Sequence, residues 1–272
     1  MRAFMPVFGA LIAAVLAGVS AVSAAPAEVE IPAGAVTLRA LMYEPEGPGP
    51  FPAIVALHGC DGLTGKGGTI AAHYGDWGER LRSAGFVVVF PDSYGSRGET
   101  PECDNRAARA ARERAGDAHA TRRWLQHQSF VKHDRVSLLG WAHGATAALW
   151  AIRRGAPRDE GRDFRSAAAL YPGCRRLGET AWSGRVPALL LLGSADDWMP
   201  PNFCEQMVAG ARGRSAGTSI IVYPGAQHDF DHPGLPLTQL ALTSDGSGHA
   251  HVGTDPGARR DALERVPAWL AR

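Results

Sequence analysis

Six short apolar runs recur along this chain, each followed by a turn and then by a segment of different rhythm. The runs are Ala53–Leu57, Phe86–Phe90, Val136–Leu139, Ala167–Leu170, Ala188–Leu192 and Ser219–Val222. Each is apolar at nearly every position, as in strands buried on both faces. Between them the spacing predicts helices over Asp76–Ala84, Asp104–Gln128, Gly144–Arg154 and Asn202–Arg212, with a last one over Pro256–Ala271. Strands that alternate with helices become parallel neighbours through crossover connections. The expected architecture is therefore α/β, a doubly wound, mostly parallel sheet with helices on both faces. Val36–Tyr43 alternates weakly and reads as an antiparallel edge strand. There is no repeat of solenoid period and no linker between halves, and 272 residues suit one large domain.

The N-terminus stands outside this pattern. Met1-Arg2 is a cationic start, Val7–Val19 is a run of small apolar residues, and Val22-Ser23-Ala24 closes it. The run is shorter than the ~20 residues a spanning helix needs. Residues 1–24 are expected to be a signal peptide, leaving 25–272 as a single domain, periplasmic or secreted, with no membrane span. Charge narrows the partners. With 28 Lys and Arg against 27 Asp and Glu, the net charge is +1, without the basic excess that phosphate neutralisation requires. Nucleic acid is not an expected partner. Export also sets how the cysteines read: Cys60, Cys103, Cys174 and Cys204 are expected in disulfides. Four cysteines allow three pairings, and spacing does not choose among them. No C-x-x-C pair is present, so a zinc site built from four cysteines is not expected.

In open α/β sheets ligands bind beyond the carboxyl ends of the strands, and four such ends are distinctive here. After Ala53–Leu57 comes His58-Gly59-Cys60-Asp61-Gly62, a loop whose backbone N–H groups can converge on an oxyanion. After Val136–Leu139 comes Gly140-Trp141-Ala142-His143-Gly144, which has the spacing of a nucleophile elbow with alanine at its centre. After Ala188–Leu192 comes Gly193-Ser194-Ala195-Asp196-Asp197-Trp198-Met199-Pro200, offering a carboxylate where an imidazole would need one. After Ser219–Val222 comes Tyr223-Pro224-Gly225-Ala226-Gln227-His228. Elbow, acid and histidine follow one another in the chain order of the α/β-hydrolase triad.

Other features have plainer readings. The helix at Asp104–Gln128 carries Arg106, Arg109, Arg112, Arg114, Arg122 and Arg123, and with Asp104, Glu113 and Asp117 interspersed it is expected to be a solvated face. His228, Asp231, His232, His249 and His251 are rich in potential ligands, but a metal site would need three of them to converge, and His249-Ala250-His251 reads as part of a Gly- and Ser-rich loop. Trp141, Trp182 and Trp198 are candidates for lining an apolar acyl pocket or for core packing.

Together the His58-Gly59 loop, Trp77–Asp92 with Ser93-Tyr94-Gly95 after it, the elbow, the Gly193–Pro200 loop and Tyr223–Phe230 resemble the dienelactone hydrolase family, over roughly residues 36 to 270. The resemblance implies an α/β-hydrolase fold and hydrolysis of a small-molecule ester or lactone through an acyl-enzyme, with no cofactor and no metal. It implies Asp196, rather than Asp197, as the orienting acid and His228 as the general base. The N–H groups of Cys60 and His143 would form the oxyanion hole. Where the family has Cys or Ser, this chain has Ala142. Cys60 lies on the oxyanion loop, not the elbow, and Thr146 is one helical turn too far, so neither replaces the nucleophile. Two readings stay open, a hydrolase with its nucleophile position occupied by alanine and a pseudoenzyme that binds a small ligand or partner in the same pocket. From the strand ends of the resembled fold, the pairings Cys60–Cys103 and Cys174–Cys204 are expected.

Overall fold

The computed structural model describes residues 1, 25–65, 67–101, 103, 110–156, 161–242 and 248–272. Apart from Met1, the expected signal segment lies outside the described residues, as do Arg106 and Arg109 of the arginine-rich stretch. One sheet is built from β1 (Ala27–Ala33), β2 (Val36–Tyr43), β3 (Phe51–Leu57), β4 (Val87–Pro91), β5 (Val131–Trp141), β6 (Ala167–Leu170), β7 (Ala188–Gly193) and β8 (Thr218–Tyr223). Their order across the sheet is β1-β2-β4-β3-β5-β6-β7-β8. From β4 across to β8 every neighbouring pair is parallel, while β2 runs antiparallel to β4 and β1 antiparallel to β2.

The helices are α1 (Ala72–Ser83), α2 (Ala111–Gln126), α3 (Ala142–Ala151), α4 (Arg175–Glu179), α5 (Pro201–Gly210) and α6 (Pro256–Leu270). Because strand side chains alternate between faces, each buried run feeds two cores. Ala53, Val55 and Leu57 of β3 join Val87, Val136, Leu138 and the apolar faces of α2, α3 and α5. Ile54 and Ala56 face the other way, with Val88, Leu139, and the apolar faces of α1 and α6. The fold is the α/β-hydrolase arrangement, a mostly parallel sheet with helices on both faces.

Several elements depart from the sequence reading. Strand β1 is one that the sequence does not announce, because Ala27–Ala33 holds only two large apolar residues; as an edge strand it needs only Ile31 to be buried. Helix α1 begins at Ala72 rather than Asp76: Gly75 and Gly78 dilute its pattern, although His73, Tyr74, Trp77 and Leu81 share its buried face. Gly78 is there for space, since a Cβ would come 2.5 Å from the Tyr43 ring. A short α4 and the hairpin β9 (Thr238–Leu242) and β10 (Gly248–Val252) are further additions, so His249 and His251 lie on a strand and not in a loop.

The arginine-rich helix is not the solvated face expected of it. Arg112 is exposed, but Arg114 is 0% and Arg122 2% exposed. Arg122 donates to the carbonyl of Arg162 and lies over the Phe164 ring. Arg122 also lies 3.9 Å from the Asp163 carboxylate. Partners brought in from distant segments let these guanidiniums be buried, and a local charge pattern cannot reveal them. Disulfides join Cys60 to Cys103 and Cys174 to Cys204, with Cα atoms 4.8 and 4.9 Å apart.

Candidate active site

Strand β5 passes into α3 without a loop. Ala142, the first residue of α3, has φ 47° and is 6% exposed. The left-handed region disfavours any residue with a Cβ, so the turn is strained there. The glycines on either side are required by contact. A Cβ on Gly140 would come 2.5 Å from the Gly144 carbonyl oxygen, and one on Gly144 would collide with the Leu57 carbonyl. Thr146, one turn on, donates to the Ala142 carbonyl at 3.1 Å and accepts from the Gly173 N–H at 2.8 Å, so it is spent on packing α3.

The His58 loop crosses over this turn, and a Cβ on Gly59 would lie 3.8 Å from the Ala142 methyl. The Gly59 N–H donates to the Tyr74 hydroxyl at 2.8 Å, which itself donates to Asp61 at 2.9 Å. The Cys60 sulfur is tied into its disulfide and offers no thiol. Beside the loop runs a chain of rings. His58 Nδ1 donates to the Gly59 carbonyl at 2.8 Å, and its Nε2 accepts from the Ser93 N–H at 3.2 Å. Burial, and then the Arg114 charge, hold its pKa well below the usual range, so its 4.0 Å approach to Asp92 is not an ion pair. His143 Nδ1 accepts from Arg114 Nη1 at 2.9 Å and from the Tyr94 hydroxyl at 3.2 Å. Burial and Arg114 lower its pKa to about 3, so this ring is neutral too. Its N–H lies in the first turn of α3, where amides have no intrahelical acceptor.

On the far side, Asp196 and His228 meet. His228 Nδ1 lies 2.7 Å from Asp196 Oδ2, while Asp196 Oδ1 accepts from the N–H groups of Trp198 at 3.0 Å and Met199 at 2.7 Å. Burial alone would lower the His228 pKa, but the charge and hydrogen bond of Asp196 outweigh it and raise it to about 8. The imidazole is clamped between the rings of Tyr171 at 4.5 Å and Trp198 at 4.7 Å. Asp197 turns outward and takes both the N–H and Nδ1 of His251, at 2.8 and 2.7 Å.

A family model matches this chain over residues 38–272, that of the dienelactone hydrolase family. The chain belongs to the dienelactone hydrolase family. Its fold is shared with solved members and their neighbours. A Klebsiella pneumoniae protein described as a putative dienelactone hydrolase superposes with a TM-score of 0.69 at 19% identity, covering 91% of this chain and 98% of that one. A dienelactone hydrolase-like promiscuous phosphotriesterase from metagenomic libraries gives 0.68 at 19% identity, covering 90% and 97%. Thermogutta terrifontis esterase 2 gives 0.65 at 16% identity, covering 92% and 94%. The search of curated proteins found no match.

For this family member the sequence reading missed a carboxylate hub beneath the elbow. Asp231 is fully buried and accepts four donors, His73 Nε2 at 2.9 Å, Trp77 Nε1 at 2.7 Å, Trp141 Nε1 at 3.0 Å and the Tyr171 hydroxyl at 2.6 Å. Burial would raise the Asp231 pKa, but His73 and these donors lower it to about 2. The four donors come from α1, the end of β5 and the end of β6, so one side chain ties the elbow to the His228 loop. The metal-ligand candidates are thereby dispersed: Asp231 is used in the hub, His228 on Asp196 and His251 on Asp197. Among the described residues no group of His, Cys, Asp or Glu is placed to hold a metal ion. Of the tryptophans, Trp198 alone lies against His228. Trp182 bonds the Leu149 carbonyl in the opposite core.

Proposed function

We propose that this chain carries the machinery of an ester or lactone hydrolase, with Ala142 standing where the nucleophile would be. The observation behind this reading is the backbone at Ala142. A φ of 47° costs a non-glycine residue ~1–3 kcal/mol. Such a turn serves to present a side chain outward from the junction of strand and helix, and a methyl group makes no use of it. The buried Asp196–His228 pair and the family membership support the reading.

In this reading Asp196 orients His228, His228 Nε2 is the general base, and the N–H groups of Cys60 and His143 receive the oxyanion. In the Ala142→Ser protein, the hydroxyl oxygen attacks the acyl carbon as its proton passes to His228. The ester C–O bond then breaks, and the alkoxy group leaves with that proton. Water repeats the sequence on the acyl-enzyme and releases the acid. No cofactor or metal is needed. We also take residues 25–272 as one exported domain, which the two disulfides support, since such bonds persist in oxidising compartments. Among the described residues no helix is long and apolar enough to cross a membrane.

Ala142 itself favours a second reading, a pocket that binds acyl compounds without turning them over. Hydrolysis of p-nitrophenyl acetate and simple lactones by the parent and by Ala142→Ser separates the two. The hydrolase reading expects a rise of at least roughly two decades, a cautious part of the ~10⁶ that a lost nucleophile typically removes. An Ala142→Ser protein no faster than a parent that binds acyl compounds makes this a pseudoenzyme.

A further inference from the structure

Among the described residues, Arg114 is a buried cation without a counter-ion. Its residue is 0% exposed, and among the described residues no carboxylate lies within 4.0 Å of its guanidinium. Asp117, one turn further along α2, is taken by Arg97 at 2.6 and 3.0 Å. Asp61 on the oxyanion loop is engaged by Tyr74. Among the described residues, the groups that Arg114 touches are neutral. Its Nη2 donates to the His58 carbonyl at 2.7 Å, its Nη1 to His143 Nδ1 at 2.9 Å, and its Cζ lies 5.0 Å from the centre of the Tyr94 ring. Its Nε is buried and has no partner.

An arginine cannot shed its proton to relieve this burial, and an unpaired buried charge is costly to hold. Its position gives it a use. One arm of the guanidinium bonds the loop that carries the Cys60 N–H, and the other bonds the residue that carries the His143 N–H. We infer that Arg114 is a positioning residue that braces these two oxyanion donors and supplies the positive field for the negative oxygen formed between them. The inference rests on the proposed function, because the oxyanion is that of acyl transfer. The counter-ion arrives only with the reaction.

The test compares Ala142→Ser with the same protein carrying Arg114→Met or Arg114→Gln, using p-nitrophenyl acetate. Met removes donors and charge, whereas Gln keeps a donor and removes the charge. The expected result is a fall in kcat of about tenfold or more, a part of the ~10²–10³ that a direct oxyanion donor is worth, with KM for this neutral ester unchanged and the melting temperature not lowered. Arg114→Lys, which restores charge, should recover part of the loss. Unchanged kcat, or a loss of kcat that tracks a rise in KM and a fall in melting temperature, overturns the inference; so does failure of both uncharged variants to fold. If Ala142→Ser is itself inactive, the proposed function falls, and Arg114 is judged in the parent chain by its affinity for acetate. Acetate binding that disappears in Arg114→Met supports the positive field, and binding that is absent or independent of Arg114 overturns it.

Discussion

His228 Nδ1 lies 2.7 Å from Asp196 Oδ2, and each of the two side chains is 1% exposed. A buried imidazole held against a carboxylate favours its charged form, which is why the His228 pKa stands at about 8 although burial opposes it. A general base must be neutral to accept a proton. Turnover by Ala142→Ser should therefore rise with pH through about 8 and level off above it. Because the pKa is raised above the ordinary 6.5, the pair stabilises the fold fully below that pH, and the contribution fades as pH rises through about 8. The pH profile of kcat/KM checks the first statement. Asp196→Asn should lower the midpoint and cost on the order of 10⁴ in kcat, whereas a flat profile between pH 6 and 9 would contradict this assignment.

Asp231 has the opposite sign. Its pKa is depressed from 3.8 to about 2, so its contribution is fully present above the ordinary value and fades as pH falls towards about 2. Asp231→Asn removes the charge that holds the proton on His73, so burial turns that ring neutral, and the loss of the charge-assisted hydrogen bonds should destabilise by roughly 1.5–3 kcal/mol at neutral pH. Urea titration at pH 7 and pH 5 is the check. The gap between parent and variant should widen towards pH 5, where the unfolded His73 takes up a proton that the variant's buried ring does not.

The elbow glycines are constrained by backbone, not by mobile side chains. Gly144→Ala would press its Cβ onto the Leu57 and His58 carbonyl oxygens, and it should cost ~3 kcal/mol or more. Gly116→Ala, on the exposed side of α2 with nothing within 4 Å of its Cβ, should instead stabilise by up to ~1 kcal/mol. Equilibrium unfolding of the two variants makes the comparison, and equal effects would mean that the close approach of α3 to β3 is not as described.

Much of this can be read in the sequence because buried parallel strands write themselves as unbroken apolar runs. Val87–Phe90 and Ala188–Leu192 need no partner information to be recognised, and strand-end residues such as Ala142, Asp196 and His228 follow from them. What stays hidden depends on partners far away in the chain. Ile31 alone marks β1, because an edge strand buries little. Arg114 looks like its exposed neighbour Arg112 until His58 and His143, 56 and 29 residues away, are folded against it. Asp231 looks like a metal ligand among histidines. Its real donors Trp77, Trp141 and Tyr171 read as core aromatics, and their N–H and O–H groups carry no signal in an apolar pattern. The start of α1 is masked by glycines, of which Gly78 exists to admit the Tyr43 ring.

The claim that everything except the nucleophile is assembled at Ala142 is tested most directly by active-site titration. Parent and Ala142→Ser proteins are treated with a fluorophosphonate ester, and the adducts are located by mass spectrometry. The expected result is one equivalent bound at position 142 of the variant, formed faster as pH rises through about 8 and abolished by His228→Ala, with none on the parent. A variant that stays unlabelled, or that is labelled no faster than the parent, would contradict it.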